Sequence, residues 1–337
     1  MKKYSSLIAC CVLIAAMCGM LRCCTMVATP QISADDFRIY ITPGETAGQV
    51  IDEIQANEPE GTLTGLRWIA RLKHYDEHVK TGSYVIRHAA KPTDIYRMLS
   101  GGAQTPVNVV INSCRTADRM AGMIASQIMA DSIAILEYLT DSASLAALGY
   151  TPATVFEMII PNTYELYWNT SVESLMKRLV RERDSFWKSR EAKLTSAGLT
   201  PHEAITLASI VEEETAKPEE MPVVAGLYMN RLHRGMLLQA DPTVIFALGG
   251  ERPKRVLYEH LDTDSPYNTY RYPGLPPAPI RFVSTTAVDA VLNYTHHNYL
   301  YMCAREDFSG YHNFAATLSQ HNINAAKYQR ALSSVRN

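Results

Sequence analysis

Neither sign of charge is in real excess: 32 Lys and Arg oppose 34 Asp and Glu, a formal net charge of −2 over 337 residues. A nucleic-acid binder needs a cationic surface to displace counterions from phosphates, so the balance argues against nucleic acid as a partner. The signature of disorder is missing too, since 47% of the residues are hydrophobic and 20% charged, an ordinary globular mixture with room for two or three domains. There is no glycine-rich phosphate loop, no nucleophile elbow and no cluster of metal ligands; the histidines are scattered, and His296-His297 reads as a surface pair. Cysteine is scarce where it could matter. Cys10, Cys11, Cys18, Cys23 and Cys24 sit in or beside an apolar N-terminal run, where they act as small apolar residues. Only Cys114 and Cys303 remain in the body of the chain, too far apart in sequence to specify a disulfide or a metal pair, and two buried thiols are expected.

What is present begins at the N-terminus. Lys2 and Lys3 precede a run from Leu7 to Leu21 that carries no charge. Continued past Arg22 to Ala28, the run reaches roughly 20 residues, near the length that spans a bilayer. The lysines place the N-terminus on the cytoplasmic side. An uncleaved anchor is expected over residues 1–30. A cleaved signal peptide is the rival, but no small-x-small cleavage site follows the apolar core. Neither Cys18 nor Cys23 follows the small residue that lipidation requires.

Beyond the anchor, Phe37-Arg-Ile-Tyr-Ile reads as a strand leading to Pro43-Gly44, and Thr46 can cap a helix that carries Val50, Ile51 and Ile54 on one face. Gly82-Ser-Tyr-Val-Ile and the following Lys91-Pro-Thr-Asp-Ile-Tyr repeat the strand–turn–helix pattern. These units predict a small α+β module over residues 36–105, either a spacer or a binding module. A third unit begins at Val107 and continues into a helix after Thr116. Between Ala143 and Arg190 two helical stretches flank Pro161-Asn-Thr-Tyr-Glu-Leu-Tyr-Trp168. Tyr164, Tyr167 and Trp168 are read as core, although their faces would also suit sugar rings.

The most informative stretch is Leu207-Ala-Ser-Ile-Val-Glu-Glu-Glu-Thr215. Thr200-Pro-His-Glu203 is a capping box with proline at the first helical position, and Lys217-Pro218 closes the helix. At about 100° per residue, Leu207, Ile210 and Val211 share a face, and Glu214 continues that stripe. Glu213 is expected to point away and Glu212 to lie on the flank. Partial burial, the neighbouring acids and the helix C-terminus should all raise the pKa of Glu214, suiting it to general acid work. The plain alternative is a solvated helix end. Downstream lie a helix from Met221 to His233 ended by Gly235, then Gln239-Ala-Asp241-Pro-Thr243, then Ser265-Pro-Tyr267-Asn268-Thr269-Tyr270, then a stiff loop with four prolines from Pro273 to Pro279. Amides, hydroxyls and aromatic faces on a rigid loop are an inventory for binding sugars.

Those residues carry a resemblance. Leu207-Ala-Ser-Ile-Val-Glu-Glu-Glu214-Thr, Asn230-Arg-Leu-His-Arg-Gly-Met, Leu238-Gln-Ala-Asp241-Pro-Thr-Val-Ile, Ser265-Pro-Tyr-Asn-Thr-Tyr270 and Gly274-Leu-Pro-Pro277 together resemble the endolytic murein transglycosylases (YceG-like). Gly310-Tyr-His312-Asn-Phe314-Ala-Ala-Thr317 and His321-Asn322 match the family's closing motif. Two positions depart: the family has Asp where this chain has Asn162, and an acid where it has Gln320, so neither is a candidate for a charged role. The resemblance implies an α+β fold: an N-terminal transmembrane helix, a small LysM-like α+β module around Ile41-Thr-Pro-Gly-Glu-Thr46, and a larger mixed α/β catalytic domain over 107–337 with its catalytic glutamate on a helix. It implies a single-pass protein of the inner (plasma) membrane with its catalytic domain in the periplasm. There it would cleave the MurNAc-β-1,4-GlcNAc bonds of nascent peptidoglycan strands to leave 1,6-anhydroMurNAc ends.

On this reading Glu214 is general acid and then base, while Gln239, Asp241, Tyr267, Asn268 and Tyr270 hold the glycan. Neither metal nor organic cofactor is needed, and peptidoglycan synthases are the implied neighbours. Asp241 has a second reading, as a simple cap of the turn before Pro242. A muramidase-type hydrolase and a non-catalytic, membrane-anchored wall-binding scaffold remain open.

Overall fold

The computed structural model describes residues 2–59, 61–249 and 256–336. Met1 and the side chains of Lys2, Lys3, Leu7, Cys10, Cys11 and Cys23 lie outside the described residues. The first half of the chain runs α1 (Lys2–Ala28), β1 (Phe37–Ile41), α2 (Ala47–Asn57), α3 (Thr64–Leu72), β2 (Gly82–Ile86), α4 (Pro92–Gly101), β3 (Val107–Val110), α5 (Ala117–Ala125), α6 (Ser132–Thr140), α7 (Ser142–Ala146) and β4 (Thr163–Leu166). The second half runs α8 (Val172–Lys188), α9 (Glu191–Ala197), α10 (Pro201–Glu214), α11 (Met221–His233), α12 (Asp241–Ala247), α13 (Tyr258–Leu261), α14 (Thr285–Leu292), β5 (Tyr301–Ala304), β6 (His312–Ala315) and α15 (Leu318–Arg336). The result is a mixed α+β chain whose described strands pair only in twos. Although α1 covers the expected anchor, no helix is long and apolar enough to cross a membrane among the described residues.

Contacts divide the chain into two units, Met1–Val109 with Gln127–Met129 and Glu165–Thr170, and Val110–Ser126 with Ala130–Tyr164 and Ser171–Asn337. In the first, β1 and β2 form an antiparallel pair in which Ile39 faces Tyr84. Thr46 and Gln49 close a capping box on α2, which buries Val50, Ile51 and Ile54. These side chains join Leu63, Leu66, Tyr75, Ile95 and Leu99 in one core. Helix α3 is absent from the sequence reading, yet Leu63, Leu66, Ile69 and Ala70 recur at helical spacing and are all buried.

In the second unit α10, α11 and α14 pack on one another around the main core. Every residue of α10 from Ala204 to Val211 is buried. A helix apolar all round belongs at the centre of a domain, which explains why Ile205 breaks the expected stripe. It also corrects the reading of Glu213, whose side chain is only 6% exposed, because this helix has no solvent side to point toward. Helix α11 ends as expected, with Gly235 left-handed at φ 63° and Met236 N–H donating to the Arg231 carbonyl.

Gly226 brings α11 against the Thr295 segment. A Cβ there would lie 2.2 Å from the Thr295 carbonyl oxygen, inside any tolerable contact. Gly226→Ala is expected to destabilise the protein by about 1–3 kcal/mol through forced backbone movement, read as a lower urea midpoint at unchanged slope.

Candidate active site

The start of α10 is fixed by its cap. Thr200 Oγ1 accepts from Glu203 N–H at 3.2 Å, and the Glu203 carboxylate accepts from Thr200 N–H and hydroxyl, both at 2.8 Å. Thr215 then turns to an extended conformation, so the three glutamates occupy the last helical turn. Their fates differ.

Glu212 accepts from Ser284 N–H at 2.9 Å and lies 3.6 Å from Arg281 Nε. Glu213 is gripped by two arginines, at 2.6 and 2.8 Å from Arg115 and at 2.8 Å from Arg281. Glu214 has no ion pair among the described residues. It receives a single hydrogen bond from the Tyr228 hydroxyl at 2.7 Å.

Desolvation is the main consequence for Glu214. It pushes the carboxyl up to about 7, against the Tyr228 hydrogen bond, which pulls it down. The nearby Asp241 and Glu213 charges raise it further, and Arg231 opposes them. A carboxyl poised at neutral pH can donate and then accept a proton.

Glu214 opens into a cavity of about 270 Å³. Its walls come from Leu227, Tyr228 and Arg231 of α11, from Leu238, Gln239 and Asp241, from Tyr270, and from Met302, Cys303, Ala304 and His312 of the β5–β6 hairpin. In that hairpin Ala304 pairs with His312 and Cys303 with Asn313. Of the residues expected to bind glycan, Gln239, Asp241 and Tyr270 are therefore brought together around Glu214. Gln239 takes φ 52°, in the left-handed region, where a non-glycine side chain is strained by roughly 1–2 kcal/mol. Its backbone N–H donates to the Thr269 carbonyl at 3.1 Å, and its side-chain oxygen accepts from Arg231 at 3.2 Å. Asp241 is the first residue of α12 and accepts the Tyr270 hydroxyl at 2.6 Å, a bond that with burial lifts the Tyr270 pKa.

Tyr267 and Asn268 are placed elsewhere. Tyr267 packs its ring 4.7 Å from Phe246. Asn268 is fully buried; its amide donates to the Leu261 and Thr263 carbonyls at 2.9 and 2.8 Å, and its oxygen accepts from Tyr270 N–H at 3.0 Å. Its hydrogen-bonding capacity is spent holding the loop that presents Tyr270, so it has little left for a ligand.

Residues flagged elsewhere have structural partners. Tyr164 is buried and its hydroxyl donates to the Ile160 carbonyl. Tyr167 is exposed, and Trp168 packs 5.0 Å from Tyr40. Asn162 accepts from Thr163 N–H, and Gln320 donates to Asn324. His297 Nε2 lies 2.9 Å from the Val223 carbonyl while Nδ1 accepts from Tyr299 N–H at 3.0 Å, so the ring serves the backbone. Cys114 is buried and free; Cys303 is free and only half-buried, at the cavity wall. Among the described residues no three His, Cys, Asp or Glu side chains are grouped to hold a metal.

Tyr228 had no role in the sequence reading, and Arg231 was noted without one. Leu227, Tyr228 and Arg231 recur at three- and four-residue spacing on α11, and that spacing was the available signal.

Comparison with known proteins gives consistent matches. The model of the YceG-like family matches residues 39–327. An endolytic murein transglycosylase of Bacillus subtilis is 35% identical over 160 residues, 48% of this chain and 44% of that protein. One of Streptococcus pneumoniae is 28% identical over 327 residues, 86% of this chain and 58% of the relative. The chain thus matches about half the length of these curated relatives. A crystal structure of a YceG-like protein from Listeria monocytogenes aligns with a TM-score of 0.56 at 26% identity, covering 86% of this chain and 99% of the other.

Proposed function

Because the chain belongs to the YceG-like family, we propose that it is an endolytic peptidoglycan transglycosylase with Glu214 as its acid and base. The observation that carries this reading is one carboxyl, without an ion pair among the described residues and raised to about 7, facing a cavity shared with Gln239, Asp241 and Tyr270. The B. subtilis and S. pneumoniae relatives are named endolytic murein transglycosylases.

Glu214 protonates the oxygen bridging N-acetylmuramic acid and N-acetylglucosamine as the C1–O4 bond breaks. The muramyl C6 oxygen then bonds to C1 as the Glu214 carboxylate takes the C6 hydroxyl proton. A 1,6-anhydro ring results and no water is consumed. Glycosidases usually need a second carboxylate to activate water or to form a covalent intermediate. Here the nucleophile belongs to the substrate, and its closeness to C1 replaces part of that work. Gln239 and Tyr270 supply the amide and hydroxyl groups that would orient the sugar. Tyr267 and Asn268 act at one remove, through the core and the loop.

One observation favours a second reading. Asp241 is a carboxylate in the same cavity, and a hydrolase would use it on water. Digestion of purified sacculi with end-group mass spectrometry separates the two. The transglycosylase reading expects anhydro ends from internal cuts; reducing muramic acid ends would make the protein a muramidase. The absence of any soluble fragment would favour a wall-binding scaffold.

The proposal extends to placement. Lys2 and Lys3 ahead of the uncharged Leu7–Leu21 run support a single-pass anchor in the inner membrane, with the second unit on the periplasmic side beside nascent strands. The capped strand–turn–helix around Ile41 supports the LysM-like reading of the first unit. Peptidoglycan synthases are the partners such a position would supply.

A further inference from the structure

We propose that His312 is a second proton-handling group of this site, taking the proton of the muramyl C6 hydroxyl while Glu214 serves the leaving oxygen. The inference rests on the transglycosylase reading and moves its base step from Glu214 to His312, leaving Glu214 the acid step.

The observation is a relay behind the cavity wall. Lys217 N–H donates to Thr215 Oγ1 at 3.1 Å, which leaves the Thr215 hydroxyl to donate to Glu220 Oε2 at 2.9 Å. Glu220 is buried, and His312 meets it twice: backbone N–H to Oε1 and ring Nδ1 to Oε2, both at 2.8 Å. Three donors converge on two oxygens, so Glu220 acts as an acceptor and the proton between it and the ring belongs to Nδ1. That fixes the tautomer. In the neutral ring Nε2 then carries a lone pair.

Nε2 has no protein partner among the described residues, and His312 lines the same cavity as Glu214. A buried acid orienting a histidine that lines a cavity and whose other nitrogen is unpartnered among the described residues is the arrangement of a general base and its orienter. The other candidate base, Asp241, already has Oδ1 occupied by the Tyr270 hydroxyl.

The chemistry has a place for it. In a β-linked muramyl residue the leaving oxygen and the C6 hydroxyl project from the same face of the ring, so both protons are handled from one side. The Glu214 proton moves to O4 as the C1–O4 electron pair leaves with that oxygen. The C6 oxygen forms its bond to C1, and its proton passes to His312 Nε2. The imidazolium then returns one proton, through solvent, to the Glu214 carboxylate. Atoms and charge balance, and no other reagent is needed.

Glu220 bonds the His312 ring and Arg305 Nε donates to its carbonyl, while the other titratable groups lining the cavity with it are Glu214, Asp241, Arg231, Tyr228, Tyr270 and Cys303.

The test uses the full chain and soluble uncrosslinked glycan strands. His312→Asn keeps an amide N–H for Glu220 and removes Nε2. We expect kcat to fall about 100-fold with KM changed less than about twofold. Added imidazole is expected to restore at least about tenfold to His312→Ala, which a purely structural histidine would not show. A wild-type kcat in His312→Asn overturns the proposal. So does a slow His312→Ala that gains nothing from imidazole. If the wild type leaves reducing muramic acid ends, the transglycosylase reading itself is lost, and if Glu214→Gln still yields anhydro ends, the role of Glu214 is lost; if Glu214→Gln is dead and His312→Asn is fully active, only the present inference falls.

Discussion

Glu214→Gln is expected to lower anhydro-product formation from purified sacculi by about 10³-fold or more, because the amide has no proton to give and makes no useful base. The substitution is close to isosteric, and the Gln oxygen can still accept from the Tyr228 hydroxyl, so the fold should survive. Stability should even improve at alkaline pH. The carboxyl titrates near 7 when folded against 4.5 as its ordinary value, so between those pH values the folded state holds more protons than the unfolded one. Its contribution is fully present below pH 4.5 and is lost as pH rises through 7. Above that the wild type carries a buried anion, which Glu214→Gln lacks. At about 1.36 kcal/mol per pH unit, the variant should gain on the order of 3 kcal/mol at pH 8, with the gap closing toward pH 5. Thermal melts of the two proteins at pH 5, 7 and 8 check the sign. An inactive variant that is also less stable at pH 8 would point to damage rather than chemistry.

The second large effect is one of stability. Arg231 is 7% exposed, and its guanidinium donates to Leu300 O at 2.6 Å, Leu237 O at 3.1 Å, Leu238 O at 2.9 Å and Gln239 Oε1 at 3.2 Å. It ties α11 to the start of the β5–β6 hairpin and to the strained turn that presents Gln239. Methionine would fill much of the space but orphan two buried carbonyls, at about 1–3 kcal/mol each before relaxation, and a third that is partly buried. Arg231→Met is therefore expected to lose about 3–5 kcal/mol, with glycan cleavage lost alongside because three walls of the cavity hang from this side chain. Arg231→Lys should recover only a small part, since a point charge cannot reach carbonyls on both sides as the planar fork does. Urea unfolding followed by circular dichroism measures all three proteins; a loss below about 1 kcal/mol for the methionine variant would refute the account of this residue.

Local chemistry carried much of this structure into the sequence. The caps at Thr46, Thr116 and Thr200, the glycine after α11 and the turn of acids ending α10 are each set by residues within four positions of one another. Glu214 could be singled out because its neighbours along one helix face are apolar. The sequence was silent wherever the deciding partner is distant. Glu213 looked like a solvent-facing acid because Arg115 and Arg281 reach it from 98 and 68 residues away. His312 and Glu220, 92 residues apart, gave no local sign of meeting. Tyr267 and Asn268 lie away from the Glu214 cavity for a different reason. A loop without a hydrogen-bonding ladder must satisfy its own backbone, so its polar side chains are as readily consumed internally as offered to a ligand. Asn268 is consumed; Gln239, Asp241 and Tyr270, with side chains on the cavity wall, are not buried away from it.

Every functional statement above depends on Glu214 holding its proton near neutral pH. The direct measurement is the titration of its carboxyl carbon by ¹³C NMR in glutamate-labelled protein, the resonance assigned by its loss in Glu214→Gln. A midpoint at about 7 is predicted; a midpoint near the ordinary 4.5 would contradict the account.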